Sequence, residues 1–278
     1  MGALRSRGEE IGRRFLPPSA RRGLRRAYYA MDRPRRIRAR VGGERRPIPP
    51  ELLRERIGAS SIASYFITGE RWADSLDSEF AAAGMPLSDA RRLLDFGCGA
   101  GKVLQELTRR YPDAEWHGCD LHDLSVRWVA AKLPVRAVHS DYRPPLAYPD
   151  GFFDRIYLCS VFTHLGPDLQ ASWLGELTRV AAPGAGLAIS INSETSGYVL
   201  EDEAAPDAAE IEEAGVIFRA YKGDGAAYEQ FAGTTETYGL TFQSHEWTLR
   251  AWSENLVIER IVPRGLGNHQ DLVLARTR

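Results

Sequence analysis

One short segment constrains the fold of this chain more than any other, because three glycines alternate with other residues directly after an apolar run. Residues 93–101 read Leu-Leu-Asp-Phe-Gly-Cys-Gly-Ala-Gly. Such a run is typical of a parallel strand that ends in a tight turn and continues into a helix. Glycine supplies the positive φ angles and the close backbone approach that the turn requires. Free amides at the start of the following helix point back toward the turn. The segment therefore predicts a strand–turn–helix unit that holds a ligand.

The rest of the chain alternates between strands and helices. The predicted strands are Arg92–Phe96, Glu115–Cys119, Ala137–His139, Phe153–Cys159, Leu187–Ile191, Leu240–Gln243, Leu256–Val262 and Asp271–Arg276. Helices are predicted after the first, second and fourth strands, with Pro183-Gly184 ending the last of these. A Gly-Leu-Gly-Asn turn joins the final two strands as an antiparallel hairpin. This order predicts an α/β fold in which helices cover both faces of a doubly wound, mostly parallel sheet.

Composition divides the chain into three parts. Residues 1–46 are a basic extension, with 15 arginines against four acidic residues and a predicted helix over 20–31. Residues 47–90 begin with a proline-rich joint and continue as a predicted helical cap over 51–84. Residues 91–278 form the α/β domain. Within it, residues 193–236 interrupt the alternation of strands and helices as an acidic, Gly/Ala-rich insertion. An insertion at such a place is typical of a lid or a substrate-binding element.

Bulk composition limits the class of protein. The chain is 44% hydrophobic and 26% charged, as soluble globular proteins are, and no apolar run is long enough to cross a bilayer. No charged stretch followed by an apolar one opens the sequence, and the three cysteines form no CxxC pair. We therefore expect a cytoplasmic protein without disulfides or a structural zinc. The basic extension is either a solvated arm or a contact for an acidic partner or a membrane surface.

Four separate segments give the chain a family resemblance. Asp95 to Gly101 resembles motif I (D/E-x-G-x-G-x-G) of the class I, Rossmann-like S-adenosylmethionine-dependent methyltransferases. Its glycine spacing differs from the G-x-G-x-x-G of dinucleotide-binding folds. Ser160–Leu165 reads S-V-F-T-H-L, and Arg179–Gly184 reads R-V-x-x-P-G. With the C-terminal Gln-Asp-Leu-Val, these segments resemble bacterial small-molecule or glycan methyltransferases over residues 47–278. The resemblance implies a seven-stranded sheet of order 3-2-1-4-5-7-6 with the last strand antiparallel.

The resemblance also implies a binding site for S-adenosylmethionine, with S-adenosylhomocysteine as the product. The residues that it assigns to the cofactor are Asp95, Gly97, Cys98, Gly99, Gly101, Asp120, Leu121, Asp141, Tyr142, Cys159 and Ser160. Asp120 would accept hydrogen bonds from the ribose hydroxyls, or else cap the next helix. Asp141 would bind the adenine amine beside the Tyr142 ring, or else be a loop aspartate. The cysteines are otherwise small buried hydrophobic residues.

The segment after the fourth strand narrows the chemistry. It lacks the D/N/S-P-P-Y/F/W motif of nucleic-acid amine methyltransferases, the Pro-Cys nucleophile of the pyrimidine enzymes, and the carboxylates of the metal-dependent catechol type. We expect metal-independent transfer to an O or N, less readily C, of a small molecule or glycan, and no nucleic-acid substrate. His164 is either the catalytic base or a residue that fixes its loop. Two other classes stay open: a catalytically inactive binding or assembly protein of this fold, and a nicotinamide-dependent oxidoreductase.

Overall fold

The computed structural model describes residues 42–59, 61–197, 205–220 and 238–278. The predicted helix at 20–31, most of the basic extension and parts of the 193–236 insertion therefore lie outside the described residues. The chain divides into two compact units, Met1–Ser64 and Tyr65–Arg278. No helix among the described residues combines the length and the apolar character that crossing a bilayer needs.

The predicted cap consists of two helices. Helix α1 covers Glu51–Arg56 and helix α2 covers Ile62–Ala82. The break comes at Gly58, which has a φ of +74° and donates its amide to the Glu55 carbonyl. A residue in this left-handed conformation ends a helix, which is why the predicted single helix over 51–84 is interrupted.

Seven strands form one sheet in the order β3-β2-β1-β4-β5-β9-β8. The strands are β1 Arg92–Phe96, β2 Glu115–Asp120, β3 Arg136–His139, β4 Phe153–Leu158, β5 Ala181–Ile191, β8 Leu256–Leu266 and β9 Gln270–Thr277. The pairs among β1 to β5 are parallel, whereas β9 runs antiparallel to both β5 and β8. This is the predicted fold and strand order, with β8 and β9 as the predicted sixth and seventh strands.

Helices cover both faces of the sheet. The helices of the second unit are α3 Leu104–Arg110, α4 Asp123–Lys132, α5 Pro167–Val180, α6 Ala208–Ala214 and α7 His245–Trp252. Successive side chains of a strand point to opposite faces. Leu93 thus belongs to the core that includes Phe80 of α2 and Leu107 of α3, whereas Leu94 belongs to the core that includes Trp173 of α5. The alternation gives the doubly wound arrangement that the sequence predicts.

The boundary between α5 and β5 differs from the prediction. Helix α5 ends at Val180 and β5 begins at once, so Pro183-Gly184 lies inside the strand rather than ending the helix. Backbone bonds from Gly151 to the Arg179 carbonyl and from Phe152 to the Val180 carbonyl end the helix from outside. These bonds come from a distant segment, which local helix-stop signals do not report.

Part of the insertion folds as a second, two-stranded sheet. Strand β6 covers Val216–Ala220 and pairs antiparallel with β7, Gly239–Gln243. The amide of Gln243 donates to the Asn192 carbonyl at 2.9 Å, just beyond the end of β5. The predicted strand near residue 240 is therefore present, but it belongs to a ribbon beside the main sheet.

Arg179, the first residue of the R-V-x-x-P-G segment, ties α5 to the loop before β4. Its guanidinium donates to Glu176 at 2.9 and 2.6 Å and to Asp150 at 2.5 Å. Glu176 in turn accepts the Leu146 amide at 2.6 Å. The side chain of Glu176 is buried, so removal of Arg179 would leave a carboxylate without its counter-charge.

We expect Arg179→Ala to lower the free energy of unfolding by about 1–3 kcal/mol, a range set below that of fully buried pairs because Arg179 is partly solvated. Urea unfolding measures the change. The matched control is Arg127→Ala, which breaks the exposed 2.6 Å pair with Asp123, and should cost less than about 0.5 kcal/mol. Equal losses in the two variants would contradict the anchoring role.

Candidate active site

The carboxyl ends of β1, β2 and β4 lie side by side, and the predicted ligand-binding segments leave the sheet there. Gly97, Gly99 and Gly101 all have positive φ angles, of +78°, +51° and +73°. The amides of Gly97 and Cys98 both donate to the Cys119 carbonyl, at 2.8 and 2.9 Å. The turn is thus fastened to β2, and its three glycines occupy conformations that other residues adopt only with strain.

Gly97 has a second reason to lack a side chain. A Cβ built on it would collide with the Val161 side chain of the segment after β4. The turn and the segment after β4 therefore approach each other closely, which forms a narrow cradle at the edge of the sheet.

Asp120, at the end of β2, holds both the turn and the next loop. Its Oδ2 accepts the Gly99 amide and its Oδ1 accepts the His122 amide, each at 2.8 Å. The residue that precedes α4 is His122, so Asp120 does not cap this helix. Each carboxylate oxygen keeps a second acceptor site, which is free for a pair of hydroxyl donors.

Asp95 is buried at the start of the turn. Burial raises its pKa to about 8, a nearby Asp120 charge adds to this, and the Tyr157 hydroxyl and the Lys102 ammonium oppose it. Tyr157 is the β4 partner of Asp95, and its hydroxyl has no aligned hydrogen-bond acceptor among the described residues. A cation bound beside this buried carboxyl group would favour its ionised form.

Lys102 is a site residue that the sequence analysis missed. Its ammonium lies 3.6 Å from the centre of the Trp72 ring, and burial lowers its pKa to about 8. Its charge also affects Asp95, so the lysine faces the same space as that carboxyl group. A cation directly after the third glycine was the only signal in the sequence, because its aromatic partner lies thirty residues upstream.

Helix α2 reaches the turn from Tyr65 onward. The Tyr65 hydroxyl donates to the Ala100 carbonyl at 2.9 Å. Farther along, Arg71 donates to the Gly267 carbonyl at 2.6 Å, and the Gly267 amide donates to Ser75 at 3.0 Å. The helix therefore spans from the glycine turn to the β8–β9 turn along the carboxyl edge of the sheet.

The other predicted cofactor residues lie around the same edge. Cys98 is buried and Leu121 follows Asp120 in the loop before α4. Asp141 is exposed just after β3. The Tyr142 ring packs against the core, and the Tyr142 backbone carbonyl accepts the Trp173 indole N–H at 3.2 Å. Cys159 and Ser160 follow β4, and Ser160 has a φ of +58°. Within the described residues, no group of three or more His, Cys, Asp or Glu side chains could hold a metal ion.

A surface groove of about 350 Å³ lies outside this region. It is lined by Glu70, Asp74, Glu106, Arg109 and Arg110, on α2 and α3. None of these residues belongs to the glycine turn, to the Asp120 loop or to the segment after β4. Arg109 pairs with Glu106 and Arg110 pairs with Asp74 in this groove. The groove therefore gives no reason to place the candidate site there.

Comparison with known proteins agrees with this geometry. Residues 93–184 match a family model described as a methyltransferase domain, a span that includes the glycine turn, Asp120 and helix α5. Residues 93–184 are therefore similar to a methyltransferase domain. The PH0226 protein of Pyrococcus horikoshii has the same fold, with a TM-score of 0.51 at 15% identity over 74% of this chain and 89% of that chain.

Two curated relatives each match part of this chain. The biotin biosynthesis bifunctional protein BioCD of Bordetella avium is 33% identical over 126 residues, which are 45% of this chain and 26% of that protein. The malonyl-(acyl-carrier protein) O-methyltransferase of Halorhodospira halophila is 36% identical over 110 residues, 38% of this chain and 36% of that protein. The chain thus matches between about a quarter and about a third of the length of these relatives.

His164 lies at the end of a single 3-10 turn, Phe162–His164. Its Nδ1 is 2.9 Å from the Gly239 carbonyl, and its ring stacks on Tyr238 with centroids 5.2 Å apart. Burial lowers its pKa. These contacts join the segment after β4 to the β6–β7 ribbon, which favours the loop-fixing role over the role of base.

A second histidine at this edge of the sheet, His245, has the surroundings of a base. His245 begins α7, and its Nε2 is 2.7 Å from Oδ2 of the fully buried Asp271. Its Nδ1 faces Glu194 at 3.4 Å. Burial alone would lower the pKa of His245, but the bond to Asp271 and the Glu194 charge outweigh burial and raise it. Local sequence patterns do not reveal these contacts, because Asp271 and Glu194 lie 26 and 51 residues from His245.

Proposed function

We propose that this protein transfers the methyl group of S-adenosylmethionine to an O or N of a small molecule or glycan, without a metal ion. The observation that carries the proposal is the glycine turn held by Asp120 beside the buried Asp95. The cradle is narrow, two acceptor sites remain on Asp120, and an acidic group faces the space where a cation would sit. The match of residues 93–184 to a methyltransferase domain supports the same function.

The residues present fit this cofactor. Asp120 would accept the two ribose hydroxyls, and Asp95 with Tyr157 would receive the amino group. Asp141 and Tyr142 would border the adenine, with Leu121 beside it. Gly97, Cys98, Gly99 and Gly101 would let the backbone approach, and Cys159 with Ser160 would close the far side. The glycine spacing of the turn differs from the G-x-G-x-x-G that holds a pyrophosphate, which argues against a nicotinamide dinucleotide.

When bound, the cofactor supplies an electrophilic methyl group on a sulfonium leaving group. The work of the chain is therefore alignment and exclusion of water. The glycine turn and the segment after β4 would fix the cofactor at one edge, so that an acceptor over β4 and β5 meets it in line at near-attack distance. Helix α2 and the β6–β7 ribbon would cover the site, with the 193–236 insertion acting as a lid.

The acceptor is proposed only as a chemical class. The relatives' names include an O-methyltransferase of malonyl-(acyl-carrier protein) and a trans-aconitate 2-methyltransferase. Both act on small or carrier-bound acceptors, and we extend that class to this chain, in the cytoplasm. The basic extension would then contact an acidic partner or a membrane surface rather than the acceptor. The alternative is a catalytically inactive binding protein. The presence of Asp95, Asp120 and the three glycines of the turn argues against it.

Turnover tests the proposal. The full chain is incubated with S-adenosylmethionine and pooled acceptors, and S-adenosylhomocysteine is measured by mass spectrometry. We expect product in at least one pool, with an Asp120→Ala sample as the blank. Tight cofactor binding without product in any pool would favour the inactive alternative.

Cofactor binding should release protons at pH 7. Asp95 and Lys102 both have pKa values of about 8, so both are largely protonated before binding. A bound cation favours the ionised carboxylate and the neutral amine, and each change releases a proton. Calorimetry in phosphate and in Tris buffer should therefore give different apparent enthalpies at pH 7, and the difference should fade well above pH 8. Asp95→Asn should release fewer protons, and equal enthalpies in both buffers would contradict the linkage.

A further inference from the structure

We infer that His245, oriented by Asp271, is the general base of the reaction and that the acceptor is an uncharged hydroxyl compound, an alcohol, a phenol or a sugar. This inference rests on the proposed methyl transfer. It identifies the group that takes the acceptor's proton and the chemical class of the acceptor.

The position of the pair in the fold is the first support. Strand β9 runs antiparallel to β5, and Asp271 at its start is the register partner of Ile191 at the end of β5. The pair therefore lies at the same carboxyl edge as the glycine turn. Gln270, next to Asp271, accepts the Ser160 hydroxyl at 2.9 Å. Ser160 is one of the predicted cofactor residues, so the His245–Asp271 pair borders the cofactor side of the site.

The second support is how completely Asp271 is held. Its Oδ1 accepts the Arg264 amide at 2.8 Å, and its Oδ2 accepts the hydroxyls of Thr195, at 2.5 Å, and Ser193, besides the His245 ring. Asp271 is fully buried, yet these four donors keep its pKa below the usual value. A buried carboxylate that stays ionised fixes the histidine tautomer and stabilises the imidazolium that forms when the ring takes a proton.

The third support is access and charge. About a quarter of the His245 side chain is exposed, whereas Asp271 is sealed. Among the described residues, the charged groups that face the ring are Asp271 and Glu194. The guanidinium of Arg264 donates to the Asn268 carbonyl in the β8–β9 turn. One imidazole between two carboxylates repels an anionic acceptor, and a carboxylate acceptor would in any case need no base. The surroundings thus favour a neutral acceptor that carries a proton.

In the proposed step, the acceptor oxygen forms a bond to the methyl carbon while its own O–H bond breaks. The proton goes to the ring nitrogen of His245 that does not face Asp271, and the electron pair of the broken carbon–sulfur bond stays on sulfur. Glu194, beside that nitrogen, stabilises the imidazolium until the proton leaves to water.

The acceptor class is tested with two pools on the full chain. One holds alcohols, phenols and neutral sugars without carboxylates, and the other holds carboxylates without hydroxyls. We expect S-adenosylhomocysteine from the hydroxyl pool. Turnover confined to the carboxylate pool, or in neither pool while S-adenosylhomocysteine binds, would overturn the inference. Failure of S-adenosylhomocysteine to bind would instead overturn the proposed function, so the two failures are distinguishable.

The base is tested with His245→Gln. We expect kcat to fall by about 10²–10⁴-fold with a neutral hydroxyl acceptor, because a positioned general base contributes about that much. The rise of kcat with pH through the histidine pKa should disappear, and S-adenosylhomocysteine affinity should stay within about twofold, the scatter expected of a group that does not touch it. With a phenol that is ionised at the assay pH, such as 4-nitrophenol, the loss should largely vanish.

His164→Gln is the comparator for His245→Gln and should keep the pH dependence of kcat, because the His164 ring fixes a loop. A retained pH rise in His245→Gln would contradict the assignment.

A second measurement, which needs no catalytic turnover, tests whether Asp271 orients His245. NMR titration of the ring carbons should give His245 a higher pKa in the wild-type protein than in Asp271→Asn, in the presence of S-adenosylhomocysteine. Unchanged titration in the variant would show that Asp271 does not orient the ring, which would overturn the pair.

Discussion

Asp120→Ala should weaken the affinity for S-adenosylmethionine by about 100-fold or more, because it removes the carboxylate that would accept both ribose hydroxyls. A hydrogen bond to a charged acceptor contributes about 1.5–3 kcal/mol, and two ribose hydroxyls would share this carboxylate. The same substitution frees the Gly99 and His122 amides, which Asp120 now accepts at 2.8 Å each. Isothermal titration calorimetry measures the change.

Asp154→Ala is the matched control for Asp120→Ala. Its carboxylate also accepts two backbone amides, those of Arg91 and Arg92, each at 2.8 Å. However, Asp154 lies at the amino end of β4, across the sheet from the site. We expect both variants to lose stability and only Asp120→Ala to lose cofactor affinity. Equal loss of affinity would mean that Asp120 acts through general stability.

Gly97→Ala should abolish measurable cofactor binding and lower the free energy of unfolding by about 2–4 kcal/mol, the sum of left-handed strain and an overpacked contact. Gly97 has a φ of +78°, and a Cβ there would collide with Val161. Either Val161 or the turn must move, and both border the cradle. Calorimetry and urea unfolding report the two effects separately.

Gly184→Ala is the control for the backbone strain that Gly97→Ala introduces. Gly184 has a φ of +73°, but a Cβ there would meet no atom of the described residues within 4 Å. It lies in the exposed first part of β5, away from the carboxyl edge. Gly184→Ala should therefore cost only the conformational strain, about 1–2 kcal/mol, and leave cofactor binding intact. Full binding by Gly97→Ala would show that the cradle does not need this glycine.

Local patterns predicted the parts of the fold that depend on nearest neighbours. Strand β1 was predicted with its observed bounds, because an apolar run followed by a glycine turn is a local signal. The strand order followed from the alternation of strands and helices together with the family resemblance. The helix break at Gly58 was missed because a glycine inside a helical pattern is often tolerated. The start of β5 at Ala181 was missed because bonds from Gly151 and Phe152 end the preceding helix.

The candidate site was predictable only where its residues are close in sequence. The glycine turn and Asp120 lie within one strand–helix–strand unit, so their spacing indicated a shared ligand. The approach of Lys102 to Trp72 and of His245 to Asp271 depends on how distant elements meet at the sheet edge. No local pattern reports such meetings. His164 was preferred as a base because of its motif, whereas the bond of its ring to the Gly239 carbonyl became visible only in the folded chain.

The most direct test of the account is a calorimetric titration of the purified wild-type chain with S-adenosylhomocysteine, with NADH in a parallel cell. We expect saturable binding of S-adenosylhomocysteine at about one molecule per chain and no heat from NADH, because the glycine spacing of the turn differs from the G-x-G-x-x-G that holds a pyrophosphate. Binding of NADH, or no binding of S-adenosylhomocysteine, would contradict the assignment of the glycine turn and with it the proposed methyl transfer.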